Sequence, residues 1–96
     1  MIDDGRLRQL VLELLAIPSP CGFTDEVIRY IGTVLEELGV EYQITRRGTI
    51  RARLPGAGGS DMARAVVSHV DSIGAMVKRI RPDGRLEVAP IGYWSS

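Results

Sequence analysis

Near the start of the chain, apolar residues fall at Leu7, Leu10, Val11, Leu14 and Leu15, the one-face spacing of an amphipathic helix. A helix over 3–16 is predicted, stopped by Pro18 and Pro20. The stretch "IPSPCGF" (17–23), with two prolines and a glycine, is a shaped connection. Thr24 then offers an N-cap, and Asp25 and Glu26 stand in the first turn, where the helix dipole favours acids. Phe23 and Ile28 hold the positions of a hydrophobic staple. Val27, Ile28, Ile31, Val34, Leu35 and Leu38 predict the buried stripe of a second helix, ended by Gly39.

The periodicity then shortens. "VEYQITR" (40–46) and "TIRARLP" (49–55) alternate and are rich in β-branched residues, which predicts two strands joined by a tight turn at Arg47 and Gly48. "PGAGGSD" (55–61) is a loop. "ARAVVSHV" (63–70) is apolar enough at its centre for an interior strand covered on both faces. "GAMVKRI" (74–80), "RPDG" (81–84) and "RLEVAP" (85–90) spell strand, turn and strand. Two helices followed by five strands make an α/β or α+β pattern. Such a set would leave a sheet face and a strand edge uncovered, so the chain looks unfinished.

Composition narrows the function classes. Twelve basic and twelve acidic side chains cancel over 96 residues, so the totals favour neither nucleic acid nor an anionic membrane. One cysteine, Cys21, excludes an internal disulfide and fits a reducing compartment. The start "MIDDGRLRQL" carries acids where a signal peptide would carry bases, and no apolar run reaches membrane-spanning length. A cytoplasmic protein is expected. Met62, Met76 and the helix leucines read as core or near-core, Cys21 as a partly buried loop residue, and Trp94 as a packing anchor.

The chemistry concentrates at "AVVSHVDSIGAMV" (65–77). His69 is the only histidine, and Asp71 follows at the spacing that puts two strand side chains on one face. A carboxylate beside an imidazole can accept its N–H, fix the tautomer and leave the other nitrogen for a metal or a proton. A structural His–Asp hydrogen bond has the same spacing, so both readings stand. His69 lies at the carboxyl end of the most apolar strand, where open α/β sheets place their sites, and Gly74 would permit close approach of backbone or ligand. One imidazole does not make a zinc site, which needs three or four protein ligands. Glu87 and Asp83 read as solvated hairpin residues, and nothing around Cys21 suggests an activated thiol paired with His69.

The stretches "PSPCGFTDEV", "SHVDSIGAMV" and "PIGYW", in that order, resemble the glutamyl-aminopeptidase and tetrahedral-aminopeptidase family of cocatalytic metallopeptidases, metallopeptidase family forty-two. Ser72 and the "YWSS" ending resemble the subgroup found with osmoprotectant dipeptide synthesis. The resemblance implies an N-terminal fragment: residues 1–73 as the first part of a three-layer α/β/α catalytic domain, and 74–96 as the start of an inserted β-rich domain. It further implies two divalent metals, zinc or cobalt, a peptide substrate that loses its N-terminal residue, and a homo-oligomer at full length. His69 would be a metal ligand, and Asp71 would orient and tune it as part of the catalytic constellation. The remaining ligands and the general-base glutamate have no matching positions, so the 96 residues alone are expected to be inactive.

Two non-enzyme readings stand beside it. One is a small α+β binding or interaction module using Arg46, Arg47, Arg51 and Arg53 of the first hairpin and Arg79, Arg81 and Arg85 of the second. Zero net charge favours a solvated strand face, so no nucleic-acid partner and no membrane partner are expected. The other is an inactive product whose apolar surface pairs with itself or with a partner.

Overall fold

The computed structural model of the chain describes residues 1–58 and 62–93. Helix α1 spans Asp4–Ala16, and the Asp3 carboxylate caps it by accepting the Arg6 N–H at 3.0 Å. Helix α2 spans Asp25–Glu37. Thr24 stands at its N-cap without a side-chain cap bond; its carbonyl accepts the Ile28 N–H at 3.1 Å. The helices are tied by the Tyr30 hydroxyl, which donates to the Glu13 carboxylate, and by Arg6 and Glu37 at 3.8 Å.

Strands β1 (Tyr42–Ile44) and β2 (Ile50–Ala52) form one antiparallel hairpin, with Gln43 opposite Arg51. It is shorter than the pattern predicts, and its turn is longer. Thr45 pairs with Thr49 around the three residues Arg46, Arg47 and Gly48, and the Gly48 N–H bonds to the Thr45 carbonyl at 2.9 Å. The second hairpin, β3 (Gly74–Ile80) with β4 (Leu86–Ile91), repeats that turn: Arg81 pairs with Arg85, and the Gly84 N–H reaches the Arg81 carbonyl at 2.9 Å. Gly48 and Gly84 have φ of 83° and 81°, the left-handed conformation that a three-residue hairpin loop needs at its last position. Tyr42 brings the first hairpin to α2, its hydroxyl donating to Glu36 at 2.6 Å.

In the second hairpin the register shifts between Val77 and Arg79, so Lys78 is an extra residue on β3, a β-bulge. Lys78 and Arg79 both reach Glu87, at 3.4 and 2.5 Å. The bulge also resets the alternation. Val77 and Ile80, three apart, face the same way, opposite Val88 and Leu86, with Ala75 opposite Pro90. That face is apolar, and its members are exposed.

The fold class is mixed α and β: two helices and, among the described residues, two small antiparallel sheets. Several expectations about burial fail. Among the described residues only Ser19, Val27, Ile28 and Gly32 are buried. No α1 residue is, and Leu15 is 75% exposed. Leu38, Met62, Met76 and Cys21 are exposed as well. Of the two staple residues Ile28 is buried and Phe23 is exposed. The interior strand expected at 63–70 has no ladder, and Val66 and Val67 lie open to solvent. One cause underlies these departures: an apolar stripe is buried only where another element covers it. Here the accessible surface is 9011 Å2, against about 5,400 Å2 for a closed monomer of this mass. The radius of gyration is 18.0 Å, against about 13 Å. Trp94 and residues 59–61 of the 55–61 loop lie outside the described residues.

Candidate functional site

The α1–α2 connection, expected only as a shaped loop, holds the residues around His69 and Asp71. The Ser72 N–H donates to the Ser19 carbonyl at 2.8 Å, and Pro20 and Ser72 form an isolated parallel bridge. The Ser19 hydroxyl donates to the Val70 carbonyl at 2.9 Å and lies 3.4 Å from the Ser72 hydroxyl. Ser19 is 3% exposed, so these bonds satisfy a polar group that would be costly to bury unpaired. Gly74 does permit close approach, by Pro20: a Cβ at Gly74 would fall 2.9 Å from the Pro20 Cβ.

Val70, so held, separates the two predicted site residues, which do meet. His69 Nδ1 lies 3.0 Å from Asp71 Oδ1 and 3.1 Å from the Asp71 carbonyl oxygen. Both neighbours are acceptors, so Nδ1 carries the proton. In the neutral ring Nε2 is then a bare lone pair. The imidazole side chain is 81% exposed. Beside it runs a groove of about 260 Å3, lined by apolar Leu14, Ile17 and Val27 together with His69 and Asp71.

The other candidates are engaged elsewhere. Glu87 is taken by Lys78 and Arg79, and Asp83 accepts the Arg85 N–H at 3.1 Å. Cys21 is exposed and does not line the His69 groove. Arg51 and Arg53 line a wide open groove that also carries Glu36 and Glu41, so its charge is mixed. Among the described residues no group of three or more His, Cys, Asp and Glu side chains could hold a metal ion. No helix is long and apolar enough to cross a membrane, among the described residues. Ser19 was missed from the sequence: a serine between two prolines signals a turn, and nothing local says that its hydroxyl crosses to residue 70.

An imidazole oriented by a carboxylate, with its second nitrogen bare, is a donor arrangement used by metal-dependent enzymes. Residues 48–96 match M42 glutamyl aminopeptidase. YhfE of Bacillus subtilis (strain 168), provisionally named an aminopeptidase, is 48% identical over 92 residues, 96% of this chain and 26% of that protein. Lysyl aminopeptidase of Pyrococcus furiosus is 32% identical and glutamyl aminopeptidase of Lactococcus lactis subsp. cremoris 29% identical, each over 88% of this chain and 24% of the relative. The chain belongs to the M42 glutamyl aminopeptidase family. It spans about a quarter of the length of these relatives.

Membership of this metallopeptidase family implies divalent metal ions. Among the described residues His69 Nε2 could offer one donor, and no set of donors there makes a complete site.

Proposed function

We propose that the chain contributes the first part of a dinuclear-metal aminopeptidase that removes N-terminal residues from peptides. In this reading residues 1–73 belong to a three-layer α/β/α catalytic domain, and 74–96 open an inserted β-rich domain. The whole protein works as a homo-oligomer in the cytoplasm, with zinc or cobalt. The observation that carries the reading is the His69–Asp71 pair, with Nδ1 held by two acceptors, inside a chain of this family.

His69 presents Nε2 as one ligand, and Asp71 keeps the Nδ1 proton in place and so makes Nε2 the better donor. When bound, the divalent metals supply Lewis-acid activation of water and of the scissile carbonyl. The 96 residues by themselves should show no peptidase turnover above a His69→Ala control.

Calorimetry with zinc or cobalt tests this. The chain should give only weak heat, abolished by His69→Ala. Tight binding that survives that substitution would sink the reading. Transplanted into the matching quarter of the Bacillus subtilis relative, the same residues should support aminopeptidase turnover. His69→Ala should then lower both metal content and turnover, and Asp71→Ala should cost about 10- to 100-fold in metal affinity.

A further inference from the structure

We propose that Ser19 is a positioning residue for the His69–Asp71 pair, acting through the Val70 carbonyl; this rests on the reading of that pair given above.

The two site residues flank Val70, so the turn of the backbone at Val70 sets whether the imidazole and the carboxylate meet. That backbone is held from one side by a residue 51 positions away: the Ser19 hydroxyl donates to the Val70 carbonyl at 2.9 Å. The same residue's carbonyl accepts the Ser72 N–H at 2.8 Å. Ser19 therefore grips the segment before and after Asp71, with its side chain on one peptide and its main chain on the other. It is 3% exposed, while the His69 side chain is 81% exposed. With little of the imidazole covered, its orientation leans on the backbone beneath it. Ser19 lines the same groove as His69 and Asp71, and its hydroxyl acts on the pair through the Val70 carbonyl.

The readout is the tautomer of the imidazole. His69 is the chain's only histidine, so a long-range proton–nitrogen spectrum of the labelled 96-residue chain shows one ring. At a pH above the imidazole range, the wild-type chain should show mainly the Nδ1–H tautomer, whereas a free neutral imidazole prefers Nε2–H. Asp71→Asn should weaken the preference for Nδ1–H. Ser19→Ala should lower the ratio of Nδ1–H to Nε2–H by about threefold to tenfold, the worth of one hydrogen bond. Ser19→Thr, which keeps the hydroxyl, should restore it. Ser72→Ala, which loses only the 3.4 Å contact, should leave it unchanged.

An unchanged ratio in Ser19→Ala, with its helices intact by circular dichroism, overturns the proposal while leaving the pair standing. A wild-type ring already in the Nε2–H form overturns the pair itself, and with it the role given to Asp71. Should Ser19→Ala lose its helices, Ser19→Thr decides: a folded chain keeping Nδ1–H supports the proposal, and one with Nε2–H overturns it.

Discussion

The hairpin Gly74–Ile91 and the segment 62–73 that leads into it are neighbours in sequence, and both are rich in valine and isoleucine. The hairpin builds its own ladder, turn and ion pairs from residues within 18 positions of one another. Segment 62–73 makes no ladder, leaves Val66 98% exposed, and is fixed at its far end by Ser19 and Pro20. The difference is one of range. A β-hairpin closes a short loop and finds its partner nearby, whereas an interior strand needs neighbours brought from far along a chain. Apolar content says that a strand wants covering; it does not supply the cover.

The sharpest way to break this contrast is at Gly74, the junction of the two regions. Gly74→Ala puts a Cβ 2.9 Å from the Pro20 Cβ, and overpacking of that kind costs about 1–3 kcal/mol. The Ser72 amide should exchange with solvent about ten- to a hundredfold faster, and the ladder beyond Met76 should hold. Gly84→Ala attacks the other region. At φ of 81° an alanine costs about 1–2 kcal/mol, so the cross-strand contacts between Val77 and Val88 should weaken by nuclear magnetic resonance while Ser72 protection stays.

Smaller effects sharpen the contrast. Glu87→Gln removes the carboxylate shared by Lys78 and Arg79, worth about 0.2–1 kcal/mol per exposed pair. The loss should shrink as salt is added, and it should not reach His69. The smallest effect comes from the helix pair. The Tyr30 hydrogen bond holds the Glu13 carboxyl below its ordinary 4.5, and the same bond raises the Tyr30 hydroxyl above its ordinary 10.0. Glu13's contribution is therefore present above pH 4.5 and lost as pH falls through its lower folded value. Tyr30's is present below pH 10 and lost as pH rises through its higher folded value. Acid should loosen α1 from α2, and with them the loop that grips Ser72, leaving the hairpin untouched. Tyr30→Phe should lessen the pH dependence in a circular-dichroism titration, leaving the part that Gln9 and Arg6 give Glu13.

Local features were legible. The two helices, the second hairpin and the place of its turn follow from residues close in sequence. His69 and Asp71 do meet, but not on the strand face from which the spacing of two was argued, because that segment forms no ladder. What escaped was non-local. Val66 and Val67 look like the middle of a sheet because their composition suits one, yet no described strand lies beside them. Leu7, Leu15, Met62 and Met76 carry the same lesson. Ser19 shows the converse: an inconspicuous serine becomes the buried donor of the site because a segment 51 residues later passes over it. The three-residue loop of the first hairpin was missed because Thr49 pairs with Thr45 and not with Arg46, which puts Arg46 in the turn with Arg47 and Gly48.

The bulge at Lys78 has a consequence for how the chain can change length. Because Val77 opposes Val88 and Arg79 opposes Glu87, deleting Lys78 would leave an unbroken ladder with every other side chain on its present face. Deleting Val77 instead would slide a lysine opposite Val88 and place a charge among the apolar residues. The second hairpin therefore tolerates the loss of a residue at this point and resists it one position earlier. Descendants of the sequence should gain and lose residues here, as at a seam.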